Sequence, residues 1–105
     1  MKSIEPVLQQ IKATVMACQP DATVVLYGSY ARGEQRPDSD VDILVLVNED
    51  HLSFEFKKHI AYPIYHIELE TGLNINPVIY TRQTWETKHS ITPFYKNIIK
   101  EGRWL

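Results

Sequence analysis

The residues best suited to chemistry in this sequence stand close together, in Gly28-Ser29-Tyr30-Ala31-Arg32-Gly33-Glu34-Gln35-Arg36-Pro37-Asp38-Ser39-Asp40-Val41-Asp42. Asp40 and Asp42 head an apolar run. On a strand their spacing sends both side chains to one face, with Cα atoms about 6 to 7 Å apart. Two carboxylates aimed together beside a buried strand raise each other's pKa unless something positive lies between them. A divalent cation is the simplest answer. With only oxygen ligands, and no His or Cys placed to join them, the pair suits Mg²⁺ or Mn²⁺ rather than Zn²⁺. Two carboxylates cannot fill an octahedral shell, so water and a substrate phosphate are expected to complete it.

The other end of the segment reads as a cradle for that phosphate. Gly28 permits a close backbone turn and Ser29 offers a hydroxyl and an N–H. Residues Ser29 to Arg32 can start a short helix whose first N–H groups face an anion. Arg32 follows as a fixed cation, suited either to phosphate oxygens or to tying the loop to a carboxylate such as Asp38. A lone Gly-Ser is usually only a turn, and a lone Asp-x-Asp usually only a solvated strand start. The combination is rarer: if each of the four positions matches by chance ~7 % of the time, it arises on the order of 10⁻³ times in such a chain.

These residues need elements to hold them. A helix is expected from about Ile4 to Cys18, capped by Ser3, with Pro6 in its first turn and Ile4, Val7, Leu8, Ile11 and Val15 at helical spacing. Thr23 to Tyr27 is β-branched and aromatic and ends at Gly28, the pattern of a short buried strand before a tight turn. Asp40 to Val47 is a second strand; beyond Asp42 it is apolar on both alternating faces, which describes a central strand covered on both sides. From about His51 to Thr71 the spacing turns helical, with Phe54, Ile60, Ile64, Ile67 and Leu69 as inward candidates and a kink or break expected at Pro63. Gly72 can end this helix. Leu73 to Tyr80 reads as a third strand, where Pro77 argues for an edge position or a bulge. Thr92-Pro93 opens a last helix through Lys100, closed by Gly102. The order implies an α/β (α+β) fold with a small mixed sheet flanked by helices, as one domain over residues 1–105.

Composition narrows the functional classes. With 105 residues, 44 % hydrophobic and 23 % charged, the chain reads as one globular unit with neither a disordered tract nor an apolar run long enough to cross a membrane. A formal charge of −2 gives no general field for nucleic acid, so small molecules or proteins are the better expectation for a partner. The single cysteine, Cys18, cannot form an internal disulfide, and the N-terminal residues lack a signal-peptide pattern, so a cytoplasmic location is expected. Cys18 itself reads as a small filler near a helix end.

At this point the sequence resembles a known family. Gly28-Ser29, ten residues, then Asp40-Val41-Asp42, together with Ala31-Arg32-Gly33 and Asp38-Ser39, is similar to the signature of the minimal nucleotidyltransferases, relatives of the DNA polymerase β superfamily. The closing segment from Pro93 to Gly102 is similar to the tail of many members. The resemblance implies a polymerase β-like fold. It implies that Gly28, Ser29, Arg32 and Ser39 bind a nucleoside triphosphate, with ATP the expected donor, and that Asp40 and Asp42 are catalytic and hold Mg²⁺ (or Mn²⁺). It further implies transfer of a nucleoside monophosphate, AMP above all, to a protein acceptor. Many members act as antitoxins beside a HEPN-domain toxin, so a HEPN protein is the expected partner; self-association is left open.

One position departs from the family pattern. Its third carboxylate, often the base that takes the acceptor's proton, has Asn76 as its counterpart here, with Asn74 the other candidate. Asn cannot accept that proton at neutral pH. Activity would then be slow, use another base such as Glu68 or Glu70, or be lost while nucleotide binding remains. An antitoxin acting by direct contact is therefore the alternative, and a small-molecule nucleotidyltransferase a third reading, weakened because those usually carry an additional helical domain.

Other features are better explained structurally. His51, His59, His66 and His89 lack the i, i+4 pairing of helical metal sites. Lys57-Lys58 reads as a solvated turn. Tyr62, Tyr65, Trp85, Tyr95 and Trp104 are expected in core or half-buried packing, and would form a partner surface only if exposed.

Overall fold

The computed structural model describes residues 4–105. Its elements are α1 (Glu5–Cys18), β1 (Thr23–Tyr27), α2 (Ser29–Arg32), β2 (Val41–Val47), α3 (Phe54–Thr71), β3 (Ile75–Thr81), α4 (Arg82–Thr87), α5 (Pro93–Glu101) and β4 (Arg103–Trp104). The expected cap Ser3 lies outside the described residues. Asp40 falls just before β2 rather than inside it.

The four strands form one sheet in the order β3-β2-β1-β4. β1 runs antiparallel to β2 and to β4, while β2 and β3 are parallel, so the sheet is mixed. A parallel neighbour needs a long crossover, which α3 supplies. β2 is central and its five apolar residues from Ile43 to Val47 are all buried. β3 lies at the edge, where the missing N–H of Pro77 is tolerated, as the sequence suggests.

Alternation along β2 divides the core. Val41, Ile43, Val45 and Val47 pack with Leu8, Ile11 and Val15 of α1 and Ile60, Ile64 and Ile67 of α3. On the opposite face Leu44 and Leu46 pack with Val25, Trp85 of α4 and Ile98 of α5. By the same period of two, Asp42 belongs to the face covered by α4 and α5.

Three expectations for α3 are corrected. Phe54 and Leu69 do not point inward: they are 73 % and 83 % exposed, because Ile60, Ile64 and Ile67 occupy the inward stripe and these two fall on the far side of the helix. Of the kink or break expected at Pro63, the break is absent: the element is one helix of 18 residues. Proline removes the N–H that would bond the carbonyl four residues back, that of His59. The Cys18 thiol instead donates to the His59 carbonyl at 3.7 Å, so the cysteine is more than a filler and joins α1 to the helix where its ladder is interrupted.

Two elements go beyond the sequence reading. α4 is a six-residue helix whose N-cap, Thr81, accepts from Thr84 N–H at 3.0 Å, and its buried Trp85 anchors the aromatic side of the core. β4 follows α5 immediately after Gly102. A Cβ on Gly102 would meet the Ile98 carbonyl and the Val25 side chain at 2.5 and 2.9 Å, so glycine is required here by close approach. Its φ of −65° makes no special demand.

Candidate functional site

β1 ends at Tyr27, and the chain turns at Gly28 with φ 75° and ψ −155°, a conformation open essentially only to glycine. The turn sets the start of α2, whose Ala31 and Arg32 N–H groups donate back to the Gly28 carbonyl at 3.1 and 3.2 Å. A second demand comes from across the sheet: a Cβ on Gly28 would collide with Asp42 Oδ2 and lie 3.3 Å from Asp42 Cγ. The glycine thus leaves the room in which the carboxylate sits.

Strand register builds the rest. Tyr27 of β1 pairs with Asp42 of β2, and Asp42 pairs with Asn76 of β3, so the three form one row across the sheet. Asn76, rather than Asn74, is therefore the residue beside the acid. Its Nδ2 donates to Asp42 Oδ1 at 3.3 Å. Asn74 contributes only its carbonyl, which accepts from Val41 N–H at 2.8 Å and starts the β2–β3 pairing. Asp40, exposed, precedes the strand by one residue.

The electrostatics of the row are strained toward a cation. Burial holds the Asp42 carboxyl above the usual carboxylate range; the Asn76 hydrogen bond opposes this, the charge of Asp40 adds to it, and Arg32 opposes it again. Tyr27 is pushed up to about 12, by burial first and then by the charge of Asp42 and by Tyr80, so its hydroxyl stays protonated at any physiological pH. A positive ion held between Asp40 and Asp42 would relieve both effects.

Among the described residues no group of three or more His, Cys, Asp or Glu side chains is placed to hold a metal. The donor set is therefore two carboxylates beside a glycine that has no Cβ to obstruct them. This fits a hard divalent cation whose remaining ligands come from a bound phosphate and water, and does not fit a cage made by protein alone.

The other expected site residues take up supporting places. The Ser39 hydroxyl accepts from Arg36 N–H at 2.7 Å and closes the turn that delivers Asp40. Arg32 does not tie down Asp38: its Nε and Nη1 reach Glu34 and Glu101, each at 3.4 Å, long for charged hydrogen bonds. Glu68 accepts from Ile75 N–H at 2.9 Å and Glu70 from Gln10, so both candidate substitute bases are engaged elsewhere. Missing from the sequence reading are Tyr27 and the α5 residues Phe94, Asn97 and Glu101, which with Gly28, Arg32 and Ile98 line a cleft of about 370 Å³. Tyr27 directly precedes Gly28 on the strand and could have been found from that; the α5 residues lie in the closing segment whose family resemblance is legible in the sequence, but nothing in that segment gives them a place beside Gly28.

The aromatic residues divide. Trp85 is buried, whereas Tyr62, Tyr65 and Trp104 are 55 %, 45 % and 50 % exposed. Tyr95 is half-buried and donates to Glu86 at 2.8 Å. Among the described residues no helix is long and apolar enough to cross a membrane.

The family model of the nucleotidyltransferase domain matches residues 8–105. The chain belongs to that family. Two relatives in Methanocaldococcus jannaschii, each provisionally named a protein adenylyltransferase, support the assignment. One is 30 % identical over 102 residues, covering 96 % of this chain and 92 % of its own, and the other 30 % identical over 82 residues, covering 78 % and 75 %. Among solved structures, a toxin–antitoxin with AMP-PNP aligns at TM-score 0.64 and 21 % identity over 91 % of this chain and 69 % of that one. A structure provisionally described as a minimal nucleotidyltransferase aligns at TM-score 0.63 and 23 % identity over 99 % and 97 %. At these identities the two structures establish the nucleotidyltransferase fold.

Proposed function

We propose that this nucleotidyltransferase moves AMP from ATP to a protein acceptor in a Mg²⁺-dependent reaction, as the antitoxin of a pair whose toxin is a HEPN-domain protein. The observation that carries the reading is the lodging of the Asp42 carboxylate over Gly28 beside Asp40, where burial and like charge call for a cation and the adjoining turn suits a phosphate. The names of the relatives and the toxin–antitoxin neighbour with AMP-PNP support the acceptor class and the donor.

Asp40 and Asp42 would hold Mg²⁺, which when bound would neutralise charge on the transferred phosphoryl group and on its pyrophosphate leaving group. The acceptor hydroxyl oxygen bonds to the α-phosphorus as the bond to pyrophosphate breaks. Ser29, at the start of α2, offers its N–H and hydroxyl to the triphosphate, and Arg32 exchanges its long contacts with glutamates for phosphate oxygens. Asn76 fixes one oxygen of Asp42 by its hydrogen bond, which orients the other. The acceptor's proton finds no carboxylate at Asn76 and departs to water or to the phosphate itself, which makes the reaction slow.

The test is transfer of label from α-labelled ATP to the product of the neighbouring gene, with and without Mg²⁺. Transfer that persists in the Asp40→Ala, Asp42→Ala double variant would sink the mechanism. Asn76 favours a second reading, in which the bound nucleotide is structural and the toxin is neutralised by contact. That reading wins if neutralisation survives the double variant and Asn76→Asp gains no transfer.

A further inference from the structure

α3 carries a second stripe, on the side away from its inward isoleucines. Phe54, Lys58, Tyr62, Tyr65 and Leu69 recur at helical spacing and so share one face along the whole element. Among the described residues seven large hydrophobic side chains are exposed, and four of them, Phe54, Tyr62, Tyr65 and Leu69, belong to this stripe, which makes it a patch rather than a scatter. Its side chains are neighbours: Lys58 Nζ lies 4.7 and 6.0 Å from the ring centroids of Phe54 and Tyr62, and the Tyr62 and Tyr65 rings stand 6.3 Å apart. Beside the stripe is a groove of about 370 Å³, lined by Cys18 of α1 and by Glu55, Lys58, His59, Tyr62 and Pro63 of α3.

We propose that this face pairs two copies of the chain through α3, antiparallel about a two-fold axis near Ala61 and Tyr62. That axis sets Phe54 against Leu69 of the second copy and Lys58 against its Tyr65, so the lysine keeps an aromatic partner when it is covered. Charge decides the direction. Lys57 lies on one flank of the stripe near the start of the helix, and Glu68, three turns further on, lies on the same flank near its end. A two-fold axis perpendicular to both helices brings like flanks together, so each Lys57 meets Glu68 of the second copy, about 3 Å off level. The Ile75 N–H already holds the Glu68 carboxylate in place, at 2.9 Å. On the other flank Glu55 meets His66 of the second copy beside the groove. Parallel pairing would instead set lysine on lysine and glutamate on glutamate.

The pairing leaves the candidate site alone. α3 covers the sheet face that carries Val41, Ile43 and Val45, whereas Asp42 belongs to the face under α4 and α5. Both copies of the site therefore stay open, turned away from the helix pair, and the dimer is bivalent toward whatever the site binds. The inference stands apart from the nucleotide reading and does not need it.

Sedimentation equilibrium of the full chain over a concentration series reads the pairing. One pair of 18-residue helices is at the small end of specific interfaces, so a reversible monomer–dimer equilibrium is expected. Tyr65→Asp and Leu69→Asp should each weaken it by about tenfold or more, while Ile99→Asp, at an exposed apolar position on α5, should leave it unchanged. Circular dichroism confirms that these surface variants are folded. Disulfide trapping in a Cys18→Ala background reads the direction: Phe54→Cys mixed with Leu69→Cys should cross-link, and neither alone, because in the antiparallel pair each position lies about 22 Å along the axis from its own copy. A dimer indifferent to both stripe substitutions, or self-cross-linking of either single variant, overturns the inference. So does a chain that stays monomeric at every concentration, even if the product of the neighbouring gene then binds the stripe.

Discussion

Replacing Gly28 by alanine puts two separate demands of the structure to the test. The backbone at φ 75° and ψ −155° lies where a residue with a Cβ costs about 1–3 kcal/mol. For a chain of this size, at about 4 °C per kcal/mol, the melting temperature should fall by about 4 to 12 °C. The second demand is the new methyl group's collision with Asp42 Oδ2, with Asp42 Cγ only 3.3 Å away. Restoring ordinary contact moves the carboxylate by about 1 Å. A displacement of that size at a reacting centre costs roughly 10²-fold in rate. Gly33 and Gly72 are the controls, with φ of 72° and 74° and nothing within 4 Å of an added Cβ. Their alanine variants should lose about 1–2 kcal/mol for left-handed backbone and keep Mg²⁺-dependent AMP-PNP binding and label transfer within about twofold. Thermal denaturation followed by titration and transfer assays reads both effects. If Gly28→Ala matches Gly72→Ala in every assay, the cradle argument is refuted.

Three further outcomes are expected. Asn76→Asp should lower the apo melting temperature at neutral pH, because a third carboxylate joins Asp40 and Asp42, and should raise the stabilisation given by Mg²⁺; differential scanning calorimetry against Mg²⁺ concentration decides it. Tyr27, pushed up to about 12 in the fold from the usual tyrosine value of about 10, binds its proton more tightly folded than unfolded. Its stabilising contribution is whole below pH ~10 and is lost as pH rises toward 12, so Tyr27→Phe should flatten the alkaline loss of stability in that window. Cys18→Ala should cost up to about 0.5 kcal/mol through loss of the thiol's hydrogen bond to the His59 carbonyl, and Pro63→Ala, which restores the helical N–H, should make the same cysteine change nearly neutral. A double-mutant cycle with no coupling would disprove that link.

The sequence made legible whatever is decided locally. β1, α2 and β2 follow from a β-branched run, a Gly-Ser turn and a continuous apolar stretch, and all three lie within the 25 residues from Thr23 to Val47. The edge position of β3 could be read from Pro77 because a missing N–H excludes the sheet centre. What escaped was decided by partners remote in sequence. Phe54 and Leu69 are as apolar as the inward isoleucines, and only the docking of α3 on the sheet selects between them. Arg32 found Glu101, 69 positions away, rather than the nearby Asp38. α4 contains one buried apolar residue, Trp85, too little for a period. Asn76 could be nominated from sequence, but its place beside Asp42 is a fact of parallel register.

That register has a consequence for how preparations of this protein behave. Tyr27, Asp42 and Asn76 share a row only in one alignment of β1, β2 and β3. A slip of one residue in β2 would turn Asp42 toward α1 and α3, among Ile43's present neighbours, and put Val41 or Ile43 in its place beside Gly28. No half-slipped chain keeps a weakened version of the site, because the same step that misplaces the acid ruins the core. Specific activity below the best preparation therefore counts dead molecules among live ones, and titrating nucleotide-binding stoichiometry should account for the shortfall.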